Sequence, residues 1–266
     1  MTDTIETGYA PVDGLRIYYE IQGSGPPLLL LHGGFGSTGT FAPLLPALAR
    51  SRRVIALDLQ GHGRTGDRDS PLYYEQFADD IAGVLNHLDL DRADLLGYSL
   101  GGGAALQAAI LHPSRVRRLV VVSTPFRRTG WYPDILAAMA AMGPASAEAM
   151  KATPLYESYK ALAPKPDDWP MLHNKFRDLL VTDYDWSTGV AGIQCPTMIV
   201  AGDADSFPVS HAAECFALLG GSQRDGGWDG AGRSVHRLAI LPGQTHYDIL
   251  SSPLFLPTVG PFLELS

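Results

Sequence analysis

The stretch Gly97-Tyr98-Ser99-Leu100-Gly101 sets one hydroxyl between two glycines, and Gly102 and Gly103 follow at once. Such crowding of small residues fits a sharp turn that lifts a side chain clear of the backbone. A serine hydroxyl is a weak nucleophile until a base takes its proton, and the base needs an acid to orient it. Eight histidines compete for the first role. His246, in Gln244-Thr245-His246-Tyr247-Asp248, follows the last strand-like run and is the candidate base. His87 and His112 read as surface residues, and His62 as the brace of a turn. His173 and His211 fall on helical stretches without a local signature, and His236 enters a strand from the wrong end. His32 precedes glycines and suits backbone shaping. For the acid, Asp203 and Asp205 both follow the run Pro196–Ala201, whereas the run after the Ser99 helix ends in Ser123-Thr124-Pro125 without one.

These residues need elements to hold them. Short apolar runs at 26–33, 52–61, 93–99, 117–125, 196–203 and 236–243 read as buried strands. Residues 15–23 read as an N-terminal strand paired antiparallel with 7–13, giving about eight. Between strands lie helical patterns. In 73–90, Phe77, Ile81, Val84, Leu85 and Leu88 form one apolar stripe. Strand and helix in alternation predict an α/β fold: a mostly parallel sheet of about eight strands with helices on both faces. In such a sheet ligands bind beyond the carboxyl ends of the strands. Ser99, both aspartates and His246 all follow strands at that edge. Ser99 also opens a helix, whose free amides favour developing negative charge.

Two segments break the rhythm. Residues 127–190 contain no strand candidate and read as a helical cap inserted into a core made of 1–126 and 191–266. Trp131, Trp169, Trp186 and four of the six methionines, Met139 among them, lie inside it. These residues either pack the cap down or wall an apolar pocket. The glycine-rich 220–234 precedes the last strand, and so reads as a surface loop remote from the site.

Composition removes several alternatives. A net charge of −8 offers no electrostatic attraction to nucleic acid or anionic membrane. No run reaches the length of a membrane span, and the first residues lack the pattern of a secretory signal. Two cysteines, Cys195 and Cys215, fit a reduced, cytoplasmic setting without a disulfide framework. No Cys/His cluster with ligand spacing predicts a metal.

With His32-Gly33-Gly34 after the first core strand, Asp58-Leu59-Gln60-Gly61-His62-Gly63 after the second, Gly97–Gly102, Gly202–Pro208 and Gln244–Asp248, the chain resembles the α/β-hydrolase fold superfamily, most closely its cap-bearing bacterial esterases. The resemblance implies a triad of Ser99, Asp205 and His246, choosing Asp205 over Asp203, which would brace the turn. It implies an oxyanion hole from the amides of Gly34 and Leu100, with Phe35 second to Gly34. Asp58 and Gly61–Gly63 would shape a turn near the site. Phe35, Trp131 and Met139 are the expected pocket residues. The implied activity is hydrolysis of a carboxylic ester or lactone of a small-molecule substrate, without a cofactor. C–C bond hydrolysis, cofactor-free perhydrolase or haloperoxidase chemistry, and a ligand receptor on a retained triad are the alternatives. Seven basic against eight acidic residues in 127–190 favour a neutral, apolar substrate.

Overall fold

Consecutive residues of the central strands face opposite sides of the sheet, and both sides are covered. Leu29, Leu31, Ile55, Leu57, Leu95 and Val121 enter one buried cluster. Leu28, Leu30, Val54, Ala56, Leu96 and Val122 enter another. Burial on both faces is why these strands read as continuous apolar runs rather than alternating ones. The computed structural model describes residues 5–264.

Eight strands form one sheet: β1 (Glu6–Val12), β2 (Leu15–Gln22), β3 (Pro27–Leu31), β4 (Arg53–Leu57), β5 (Ala93–Tyr98), β6 (Val116–Val122), β7 (Thr197–Ala204) and β8 (Arg237–Thr245). Their order is β1-β2-β4-β3-β5-β6-β7-β8. β1 pairs antiparallel with β2, and β2 with β4, while every later pairing is parallel. The helices are α1 (Leu45–Leu48), α2 (Tyr74–His87), α3 (Leu100–Leu111), α4 (Pro133–Ala140), α5 (Pro144–Met150), α6 (Pro154–Leu162), α7 (Trp169–Val181), α8 (Ser187–Ala191), α9 (Val209–Leu218) and α10 (Phe255–Glu264). Residues of α2, α3, α8 and α9 pack into the first cluster. Those of α1 and α10 pack into the second. Among the described residues, no helix is long and apolar enough to cross a membrane.

Between β6 and β7 stand only helices, α4 to α8 and short 3₁₀ turns. The chain leaves and returns along a narrow neck. Arg127 and Asp185 form an antiparallel bridge there, the Trp186 amide donates to Phe126 O at 3.0 Å, and the Arg128 amide to Tyr184 O at 2.9 Å. α8 already packs on the body, since a Cβ on its Gly189 would crowd Ile110 of α3. Trp169 of α7 is fully buried, its indole N–H donating to Ala147 O at 2.9 Å. It packs on Phe35 of the β3 loop, with ring centroids 5.0 Å apart. The glycine-rich 220–234 is a loop leading into the amino end of β8.

Candidate active site

Ser99 ends β5 and opens α3 with φ 53° and ψ −115°. Only neighbours without side chains allow so tight a reversal. A Cβ on Gly97 would collide with the Gly101 carbonyl, and one on Gly101 with the carbonyls of Leu31 and His32. The strained residue is pinned on several sides. Its amide donates to Val122 O at 2.9 Å, and its carbonyl accepts from Gly102 N at 2.9 Å and Gly103 N at 3.1 Å. The Thr124 hydroxyl also lies 3.0 Å from that carbonyl. Such over-determination is what maintains a backbone conformation of this cost.

The carboxyl ends of β3, β5, β6, β7 and β8 are neighbours in the sheet, so the residues just past them converge. His246 follows β8 and Asp205 follows β7. His246 Nε2 lies 3.0 Å from Ser99 Oγ, and its Nδ1 lies 3.0 Å from Asp205 Oδ1. Asp205 accepts three more bonds: the Ser123 hydroxyl at 2.5 Å, the Ser206 amide at 2.7 Å and the Gly202 amide at 3.2 Å. Burial raises the Asp205 carboxyl, but the bonds from His246, Ser123 and Ser206 outweigh it and hold the group below the usual carboxylate range. An ionised Asp205 keeps the imidazole proton on Nδ1 and leaves Nε2 to accept from Ser99. The His246 carbonyl in turn accepts from the Tyr98 hydroxyl at 2.7 Å, which fastens the loop after β8 to the serine turn.

Asp203 is exposed and accepts from the Gly243 amide at 2.7 Å, bracing the turn inside β8. Of the other histidines, His32 and His62 hold the loops that follow β3 and β4. His32 is buried, with Nδ1 2.7 Å from Gly33 O and Nε2 accepting from Leu59 N at 3.0 Å. Burial drops its pKa to about 4. His62 is likewise buried, 2.8 Å from Gln60 O, with its pKa lowered to about 3. Asp58 receives the amides of Thr38 at 2.6 Å and Arg64 at 2.7 Å, tying two loops together beneath the site. Among the described residues, no group of three or more His, Cys, Asp or Glu could hold a metal.

A cavity of about 530 Å³ opens over Ser99 and His246. Gly34, Leu100, Phe35, Trp131 and Met139 all line it, as do Tyr74, Ile135, Phe176, Leu180 and Tyr184. Leu100 is the first residue of α3, so its amide has no partner within the helix. Gly34 cannot carry a side chain, because a Cβ would strike the Phe176 ring. Phe35 adopts φ 59° and is clamped by the rings of Trp169, His173 and Phe176. Of the three tryptophans in 127–190 only Trp131 lines the cavity, its ring centroid 5.6 Å from that of His246. Trp186 packs on Tyr74 and Tyr184 instead. Ser123 and Tyr98, which donate to Asp205 and to the His246 carbonyl, did not stand out in the sequence. The signal for Ser123 is its place just past β6, on the strand between those carrying Ser99 and Asp205.

A family model described as alpha/beta hydrolase fold matches residues 26–223. The 2-hydroxymuconate semialdehyde hydrolase of Pseudomonas sp. (strain CF600) is 41% identical over 116 residues, which is 42% of this chain and 41% of that protein. The chain thus spans about two fifths of that relative. The serine hydrolase BPHL of Mus musculus is 33% identical over 208 residues, 76% of this chain and 71% of the relative. Among solved structures, a hydrolase from Pseudomonas aeruginosa PA01 superposes with a TM-score of 0.72 at 25% identity, covering 100% of both chains. The chain belongs to the alpha/beta hydrolase fold family.

Proposed function

We propose that the protein hydrolyses a carboxylic ester or lactone of a small, mostly apolar substrate through an acyl-enzyme on Ser99. One observation carries the reading. An unbroken hydrogen-bond chain runs from Asp205 through His246 to Ser99 at the wall of a largely apolar cavity. Ser99 Oγ attacks the carbonyl carbon while His246 Nε2 takes its proton. The amides of Gly34 and Leu100 receive the charge that develops on the carbonyl oxygen. His246 then returns the proton to the leaving alcohol, and the C–O bond breaks. Water attacks the acyl-enzyme with the same base, and the acid departs. Asp205 holds the imidazole tautomer and stabilises the imidazolium throughout. The 127–190 segment acts as a cap that holds the non-reacting part of the substrate.

C–C bond cleavage is the second reading, favoured by the 41% identity to the semialdehyde hydrolase. That relative's substrate, by its name, carries a carboxylate, and burying a carboxylate calls for a cation or several donors. Among the described residues lining this cavity there is no lysine or arginine. The cavity therefore favours the neutral ester or lactone.

A fluorophosphonate probe followed by peptide mapping tests the nucleophile. Labelling is expected at Ser99 alone and should vanish in Ser99→Ala, whereas labelling elsewhere overturns the assignment. A panel of p-nitrophenyl esters, lactones and a dienoate C–C substrate then separates the readings, with turnover expected on the neutral esters or lactones.

A further inference from the structure

The glycine-rich 220–234, which the hydrolytic site does not use, helps build a second cavity of about 480 Å³. Arg224, Arg233, Arg237 and His236 line it, together with Phe216 of α9 and Leu238 of β8. Three arginines lining one crevice gather positive charge there that an anion would offset. Among the described residues, none of the three has a carboxylate oxygen within 4.0 Å. Backbone carbonyls orient Arg224 and Arg237 without neutralising them. Arg224 Nε donates to Gly232 O at 3.4 Å, and Arg237 donates to Ser234 O and, at 2.9 Å, to His236 O. The segment's own acids are Asp225 and Asp229, and the latter is engaged by the Ala231 amide at 2.9 Å.

The fourth polar group is fixed as a neutral donor. His236 Nδ1 accepts from the Thr197 amide at 3.2 Å, which leaves the proton on Nε2. Burial, with Arg237 close by, lowers its pKa below the ordinary 6.5. The loop itself is folded back on itself. Gly232 N donates to Gly226 O at 2.9 Å, Gly230 N to Gly227 O at 3.1 Å and Arg233 N to Gly230 O at 3.0 Å. A side chain on Gly232 would collide with the Asp225 carbonyl. At the tip of this turn, Trp228 is fully exposed.

We propose that this crevice binds the phosphate group of a small molecule. Guanidinium forks match phosphate oxygens in pairs of charge-assisted bonds, and His236 Nε2 supplies one further donor. Trp228 of the same loop is exposed outside the crevice lining, and stacking on its ring would favour a nucleoside phosphate over inorganic phosphate. β8 has nine residues, and at a rise of about 3.3 Å each its ends lie roughly 25–30 Å apart. The crevice is at one end and His246 at the other, so a bound phosphate does not touch the hydrolytic site.

Titration calorimetry on the full chain in phosphate-free buffer, with pyrophosphate, inorganic phosphate and adenosine monophosphate, tests the proposal. Wild-type protein should bind, and the exposed pair Arg224→Glu/Arg233→Glu should weaken all three ligands by at least about tenfold. Melting temperature and ester hydrolysis should stay unchanged, so failure here is separable from failure of the esterase reading. Tighter binding of the nucleotide, lost in Trp228→Ala, assigns a nucleoside phosphate. Equal binding of nucleotide and inorganic phosphate assigns the phosphate group alone. No binding by the wild type, or equal affinity in the double variant, overturns the proposal.

Discussion

Asp205 and Asp203 are two residues apart and on opposite duties. Asp205 faces inward with four donors, His246 among them, while Asp203 holds one backbone amide. On the proposed mechanism, Asp205→Asn removes the charge that fixes the imidazole tautomer and should lower kcat by roughly 10⁴-fold. Asp203→Asn keeps an oxygen acceptor for Gly243 and should change kcat little. The reverse order in steady-state assays would put the acid at Asp203. Ser123→Ala tests the support of the acid. A hydrogen bond to a charged group contributes about 1.5–3 kcal/mol, and its loss should cut kcat/KM by about tenfold. Because the lost bond favoured the ionised carboxylate, the Asp205 pKa should rise toward its ordinary value. Followed by NMR titration, the variant's Asp205 carboxyl should therefore take up its proton at higher pH than the wild type's, a shift that a packing defect alone would not produce.

Among the elements, those buried on both faces were the most legible. Residues 93–99 and 26–33 read as strands and are strands within a residue or two. Residues 52–61 overshoot, because β4 ends at Leu57 while Asp58, Leu59 and Gln60 stay buried without joining the ladder. The same holds for 117–125, where β6 stops at Val122 and Ser123 is buried in the site. Both errors fall at the carboxyl edge, where the chain leaves the ladder but not the interior. That Ser99, an aspartate and His246 meet at one edge was legible from strand ends, while the choice of Asp205 over Asp203 came from the family resemblance. Of the aromatic residues that wall the cavity, Phe35 and Trp131 were named from the sequence, whereas Tyr74, Phe176 and Tyr184 were not, because periodicity marks them only as apolar core. Within 127–190, α4 has no fully buried residue, and its Ile135 and Met139 line the cavity over Ser99. Each methylene in an apolar pocket shifts discrimination by about 1–3 kcal/mol. Ile135→Ala and Met139→Ala should therefore reorder kcat/KM among acyl chain lengths by about ten- to a hundredfold, with fluorophosphonate labelling of Ser99 unchanged. Trp131→Ala should also lower kcat, because its ring packs edge-on against His246. Equal losses on every ester in the α4 variants would remove the cap from substrate selection.

For the whole molecule, the same carboxyl edge that gathers the site also buries histidines that carry no catalytic duty in the proposed mechanism. The rings of His32 and His62 lie tilted against each other with centroids 5.3 Å apart. Burial lowers their pKa values from the ordinary 6.5 to about 4 and about 3. In the unfolded chain both regain the ordinary value and take up protons below about pH 6.5. Between that pH and the folded values the unfolded state binds more protons, so stability falls as the pH falls, by about 1.4 kcal/mol per pH unit per histidine. Well above pH 6.5 both groups are essentially neutral in either state, and this contribution is fully present. The melting temperature should accordingly decline from about pH 6.5 toward pH 4, before the carboxylates dominate. Asp205, held below the usual range, contributes stability above its unfolded pKa and loses it only as pH drops through the lower folded value. The early decline therefore belongs to the histidines. His62→Gln removes one titrating ring while leaving Ser99, His246 and Asp205 in place. Its melting temperature starts lower, because the ring's packing against Phe35 and Phe176 is lost, but the slope between pH 6.5 and 4 should be shallower. A variant slope as steep as the wild type's would mean that His62 protonates in the folded protein as readily as in the unfolded chain.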